Sequence, residues 1–198
     1  MMKRRLAIEF ANTAAWRARG HPGRGWDALV RFVVGAGAIG PAEAGRLRAL
    51  GEAEPSRCAG AVIRALELRA VIRQILEAIA QKRPLPAEWI DVVNRALRSH
   101  GGAEQLVASG SGWGLAFIAE RRDPLVALAP LARSAAELIA EGPGAPVRKC
   151  AHPRCVLYFY DDSRTRRRRW CSMAVCGNRM KVAAHARRRR TRLRRVTV

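Results

Sequence analysis

Apolar positions recur at helical spacing over most of the first 140 residues. In "WDALVRFVVGAGAI", which starts at Trp26, Leu29, Val30, Val33 and Val34 share one side, and Gly35 or Gly37 can end the helix. Pro41 suits the first residue of a short helix running through Leu50. The clearest pattern runs from Ser56 to Gln81. There Leu68, Val71, Ile72, Ile75, Leu76 and Ile79 form one stripe, with Arg69, Arg73, Gln74 and Glu77 mostly off it. Pro84 and Pro86 break this helix, and Pro86 opens another that carries Ile90, Val93 and Leu97. The period changes in "LVASGSGWGLAF" (Leu106 to Phe117), where two short apolar runs flank a Gly/Ser turn and predict a β-hairpin near residues 106–118. Asp123-Pro124 reads as a helix cap followed by a first-position proline. The helix it starts carries Leu125, Leu128, Leu131, Leu138 and Ile139, so Pro130 demands a kink or a later start. "LAIEF", near the beginning, fits a strand or a helix. The expected class is mainly α with a small β-hairpin (α+β).

Charge divides the chain in two. The net charge is +21 and apolar residues make up 49%, which argues against global disorder. From Arg148 onward there are 17 Lys/Arg against two acids (Asp161 and Asp162), a balance of +15. The preceding 147 residues carry only +6. "EGPGAPV" (Glu141 to Val147) concentrates Gly and Pro just before this change and is the best linker. The expected organisation is a helical domain over residues 1–146 and a small basic domain over 147–198. A basic quarter on a nearly balanced body points to a polyanion partner, with nucleic acid ahead of membrane or acidic protein. No apolar run suits a transmembrane helix, and "MMKRRLAIEFANTAAW" lacks the apolar core of a secretory signal, so the cytoplasm is expected.

Four of the five cysteines lie in that quarter. Cys150 and Cys155 bracket four residues, Cys171 and Cys176 bracket four more, and fifteen separate the pairs. Two chelating turns can supply the four soft ligands that Zn2+ takes at tetrahedral corners. A segment this basic has little to bury, so a metal would supply much of its folding free energy. His152 and His185 are weaker competing ligands, and Cys58 reads as a small core residue on the long helix. "VLYFY" (Val156 to Tyr160) is strand-like, with Leu157 and Phe159 on one face. The residues after Cys171 favour a helix with Cys176 in its first turns. A knuckle, a hairpin and a last ligand at a helix start make a treble-clef-like zinc finger at the C-terminus, with Trp170 as its main aromatic.

Arginine surrounds this site. Arg164 and Arg166, Arg167, Arg168 and Arg169 precede Trp170, while Lys181 and Arg187, Arg188, Arg189 and Arg190 follow the last cysteine. Guanidinium groups grip phosphate bidentately and set affinity without reading sequence. Asn178 and Arg179, near the expected helix start, are the candidates for base edges, since Asn pairs with adenine and Arg with guanine in the major groove. They serve equally as a local cap and a phosphate contact. Few aromatics are interleaved with the basic residues, which favours duplex DNA over single strands.

"RWCSMAVCGNRMK" resembles the CGNR zinc finger, whose defining residues stand here as Cys176-Gly177-Asn178-Arg179. The likeness extends from "CAHPRC" through "FYDDSRTRRRRWCSM" to the arginine tail. "LAIEFANTAAWR", the long helix and the Trp113 hairpin resemble the ABATE domain of stress-induced transcription regulators, which usually precedes that finger. The resemblance implies a bacterial, zinc-containing, DNA-binding regulator with Cys150, Cys155, Cys171 and Cys176 as ligands. Thr165 stands where Asn is expected and Asp162 where Thr is common, and neither is a ligand.

The body offers no nucleophile, base and orienter, and no phosphate-cradling loop, so no enzyme is expected. Phe10, Asn12, Thr13 and Trp16 cluster polar and aromatic groups that would line an effector pocket or simply form core and cap. The domain is expected to sense a small molecule, to form a homodimer, or both. Two other readings compete with DNA binding. One is a redox- or ligand-responsive protein-interaction module; the other is a binder of structured RNA.

Overall fold

The computed structural model describes residues 3–16, 25–98, 101–109, 112–120 and 122–196. The chain forms two compact units, Met1–Ala145 and Pro146–Val198.

In the first unit, "LAIEF" lies inside a helix, α1 (Lys3–Trp16), which buries Leu6, Ala7, Ile8, Phe10 and Ala11. It packs against α4 and α6. α2 (Trp26–Gly35) and α3 (Pro41–Ala53) follow, with Pro41 in the first turn of α3 as its missing N–H requires. The Trp26 indole N–H donates to the Leu47 carbonyl at 2.8 Å, joining the two helices. That ring lies so close over Gly51 that a Cβ there would sit 2.5 Å from the indole Cδ1.

The apolar stripe of α4 (Pro55–Ala80) is buried as its spacing predicts. Leu68, Ile72, Ile75 and Leu76 are each at most 1% exposed, and Cys58, in the first turn of the same helix, is buried as well. The Cys58 thiol donates to the Leu50 carbonyl at 3.6 Å, and burial pushes its pKa up. α5 (Ala87–Arg98) packs against α4 and α6 and buries Val93 and Ala96.

Asp123 caps its turn as expected, accepting from the Leu125 amide at 2.9 Å. What it caps is a tight 3-10 turn, Pro124–Leu128, and α6 (Ala129–Ala140) begins only afterwards. Pro130 therefore falls in the first turn of α6, where no N–H is needed, and the helix starts late instead of kinking. Ser134 of α6 accepts a hydrogen bond from the Ala7 amide of α1 at 3.0 Å.

The hairpin consists of β1 (Gly102–Ser109) and β2 (Gly112–Ala119), with Leu106 opposite Leu115. Its ladder extends beyond the two apolar runs, through Ala103, Glu104 and Gln105. Leu106 and Trp113 are 68% and 76% exposed, so burial does not impose an alternating pattern that would mark the strand ends.

In the second unit, β3 (Val147–Lys149) pairs antiparallel with β4 (Tyr158–Tyr160), which spans the last three residues of "VLYFY". Tyr158 and Phe159 are both buried and Leu157 half-buried, so the short strand does not alternate as expected. One widened turn, Met173–Gly177, leads into α7 (Asn178–Val196).

Candidate metal centre

β3 ends at Lys149, so Cys150 leaves the ladder directly, and its amide donates to the Leu157 carbonyl at 2.9 Å. The chain then folds back, with the Cys155 amide donating to the His152 carbonyl at 2.8 Å. This knuckle holds Cys150 and Cys155 on one side. The second pair sits on a separate support. Ser172 accepts from the Val175 amide through its hydroxyl, and its carbonyl takes the amides of both Cys176 and Gly177 at 3.0 Å. Cys176 is thus fixed at the last turn before α7.

The four sulfurs all lie within 4.8 Å of one another, and none is in a disulfide. Cys155 Sγ is 3.8 Å from Cys171 Sγ, and Cys171 Sγ is 3.7 Å from Cys176 Sγ. With Zn–S bonds of about 2.3 Å, a regular tetrahedron has edges of about 3.8 Å. The donor set therefore fits a tetrahedral divalent ion in both chemistry and size. His152 Nδ1 accepts from the Arg154 amide at 3.1 Å and His185 is exposed on α7, so neither joins the group.

The sulfurs have their own support. The Cys171 amide points at Cys150 Sγ from 3.4 Å. Burial raises the Cys150 thiol, but the Cys171 amide, the His152 backbone and the neighbouring thiols outweigh it, so Cys150 lies below the ordinary thiol value. Cys171 is pushed well up by burial, then by the Cys176 and Cys150 thiols and by charge on its neighbours. Burial likewise raises Cys176.

Phe159 is the buried aromatic of the cysteine cluster. Trp170, expected in that place, is only half-buried and packs at its edge. Space at Gly177 is tight. A Cβ on it would meet Met173 Sδ at 2.4 Å and Trp170 Cδ1 at 3.1 Å.

Two residues carry structure that sequence reading did not assign them. Asp161, 0% exposed, closes the loop 161–168. Its Oδ1 accepts from the Ser163 amide (3.2 Å) and hydroxyl (2.5 Å). Its Oδ2 accepts from the Arg168 amide (3.0 Å) and lies 3.2 Å from Arg148 Nε. Burial opposes its charge, but the Ser163 hydroxyl and amide, the Arg168 amide and the Arg148 guanidinium prevail and hold its carboxyl below the usual range. Arg168, grouped by sequence with the phosphate contacts, turns inward. Its guanidinium donates to the Trp170 carbonyl at 2.9 Å and to the Cys171 carbonyl, and it lies 4.9 Å from the Phe159 ring centre. "DDSR", an Asx-type turn in a run of arginines, was the available signal.

Most of the other basic residues whose side chains are described face outward. Arg164, Arg166, Arg167 and Arg169 are exposed on the loop, and Arg169 also lies over the Trp170 ring at 5.0 Å. Arg166 has φ +47°, a left-handed turn that aims its carbonyl at Arg148. Asn178, Arg179, Lys181, Arg187 and Arg188 are exposed on α7. The side chains of Arg189 and Arg190 lie outside the described residues.

Of the group near the start, Phe10 is buried with its ring 5.5 Å from that of Phe32, and Asn12 is buried. The Thr13 hydroxyl donates to the Phe10 carbonyl at 2.6 Å and accepts from Arg69 at 3.1 Å. The Trp16 side chain lies outside the described residues. A cleft of about 130 Å³ opens elsewhere in that unit, between α4, α5 and the 3-10 turn. Leu68, Leu125 and Leu128 line it together with Arg64, Glu67 and Arg95. Among the described residues, no helix is long and apolar enough to cross a membrane.

Comparison with known families agrees with this division. Residues 147–189 match the model of the CGNR zinc finger. Residues 4–142, more than half of the chain, match the ABATE model, described as "Putative stress-induced transcription regulator". No curated protein matches the chain.

Proposed function

On the premise that the chain belongs to the ABATE family and carries a CGNR zinc finger behind that domain, we propose that it is a zinc-dependent, DNA-binding transcriptional regulator of the cytoplasm. The observation that carries this reading is the four-sulfur cluster with a basic helix launched from its last member. Cys150, Cys155, Cys171 and Cys176 would hold Zn2+, whose contribution is charge neutralisation and cross-linking of the knuckle to the α7 turn. Arg164, Arg166, Arg167, Arg169, Lys181, Arg187 and Arg188 then offer cations to the phosphates, and Asn178 and Arg179 stand nearest the helix start, where base edges are reached. The first unit supplies sensing or dimerisation. Its cleft, lined by leucines with Glu67 paired to both Arg64 and Arg95 at the rim, is the place in that unit for a small, partly apolar effector.

Two measurements test this. Elemental analysis of reduced full-length protein should find about one zinc per chain. Binding to duplex DNA should weaken with salt, log K falling against log salt by roughly 0.9 for each phosphate contacted. Folded, reduced protein without metal would remove the zinc assignment. Absence of salt-sensitive binding to any duplex would remove the DNA assignment.

A further inference from the structure

α7 carries an apolar stripe that is left open. Val175, Val182, Ala183 and Ala186, with Asn178 and Arg179, line a shallow groove of about 540 Å³ along one side of the helix. Within α7 the spacing from 178/179 through 182 to 186 is that of a single helical face, and Val175, in the widened turn before it, adjoins the same groove. Val182 is 69% exposed and Val175 39%, in a segment with few large apolar residues to spare. Lys181 and Arg187, both exposed, border the stripe on either side by the same spacing.

What covers such a stripe is decided by charge. The 19 residues of α7 include no aspartate or glutamate. A second α7 laid against it would bring two cationic helices together, with no acid at the flanks to pair with the bordering Lys and Arg, and like charges at close range repel. A polyanion reverses the sign of that term. A helix of roughly 10–12 Å diameter fits the major groove of B-DNA, about 12 Å wide. There the one exposed apolar group on a base edge is the thymine 5-methyl, which small aliphatic side chains contact.

We propose that the Val175, Val182 and Ala186 stripe is a thymine-methyl contact face, with Asn178 and Arg179 reading the purines beside those thymines. The proposal rests on the duplex-DNA reading above and adds the base class that the helix selects.

The test uses zinc-loaded full-length protein. A preferred duplex is selected from a random pool, and its thymines are then replaced by deoxyuridine, which lacks only the methyl. Affinities of wild type and Val182→Ala are compared on both duplexes at two salt concentrations. Val182 is exposed and alanine is a good helix former, so the variant should fold. Wild type should bind the deoxyuridine duplex about 5- to 10-fold more weakly, and Val182→Ala should lose a similar factor on the thymine duplex. Because Val175 and Ala186 remain, the variant should lose less than wild type when the methyl is removed, while binding to unrelated duplex keeps its salt slope. Selected sites without thymine, equal wild-type binding to both duplexes, or a variant as sensitive to the methyl as wild type would each overturn the stripe while leaving DNA binding intact. Loss of self-association in Val182→Ala would identify a second copy as the occupant and overturn it as well. Failure of wild type to bind any duplex in a salt-sensitive way removes the DNA reading itself.

Discussion

Replacing Asp161 by asparagine should weaken the zinc finger without touching a metal ligand. The carboxylate is fully buried and receives four donors, two on each oxygen. An asparagine keeps one acceptor oxygen and turns an NH2 toward the other pair. If the NH2 faces Ser163, the hydroxyl can rotate to accept it, but the Ser163 amide is stranded. If it faces the other side, the Arg168 amide and Arg148 both lose their acceptor. A stranded buried donor costs about 1–3 kcal/mol. The Arg148 contribution is smaller, below about 1 kcal/mol, because its side chain is 46% exposed and screened. The total is about 1–4 kcal/mol. A unit of this size with so little core would be marginal without metal, so metal binding and folding would form one equilibrium and the loss would appear in affinity. At 1.4 kcal/mol per decade, zinc should bind roughly five- to several-hundred-fold more weakly. Competition with a chromophoric chelator under reducing conditions measures this.

The pH dependence follows from the direction of the Asp161 shift. Its folded pKa lies below the unfolded one, so its contribution is complete above the unfolded value, about 4, and fades only as pH falls through the folded value. The affinity ratio between wild type and variant should therefore be constant from pH 6 to 8. An affinity within threefold of wild type, with unchanged exchange protection at the Arg168 amide, would refute the reasoning.

Two further substitutions probe the first unit. Gly51→Ala should destabilise it, because the clash with the rigid Trp26 indole, about 1–3 kcal/mol for overpacking, exceeds the gain of about 1 kcal/mol in helix propensity. Thermal unfolding of wild type and variant decides the sign, and a higher Tm would show that the indole yields. Glu43 is buried in the first turn of α3, with Oε2 3.4 Å from Arg46 and no hydrogen bond to that oxygen. Burial raises its pKa and Arg46 only partly offsets this, so folding takes up protons there. Stability should fall as pH rises from the unfolded pKa through the folded one. Glu43→Gln should then raise stability at pH 7 by roughly 1 kcal/mol, and the difference should vanish in acid; an equal effect at pH 4 and 7 would contradict the burial argument.

Much of this molecule is written locally. The α4 stripe needs only a 3.6-residue period, so Leu68, Ile72, Ile75 and Leu76 could be placed before any packing was known. The paired cysteines and the prolines at helix starts are local too, since a chelating turn or a missing N–H acts within a few residues. Where local signals ran out, burial decided. "LAIEF" fits either period, and it became helix because α4 and α6 offered a surface for Leu6, Ile8 and Phe10. Among the described side chains, β1 has no buried residue to mark its ends. Charge counting places seventeen cations in the last quarter, yet cannot say which of them bind their own chain. Arg168 turned inward because two carbonyls and the Phe159 face lay within reach of it, and Asp161 became the loop's closure because four donors converge on it. Those donors come from residues up to 13 positions away, and only the folded backbone brings them together. Composition thus determined that the finger is cationic and rich in thiols. The tertiary structure decided that the sulfurs meet at tetrahedral spacing and that one side of α7 remains apolar and open, because both depend on where the chain returns to itself.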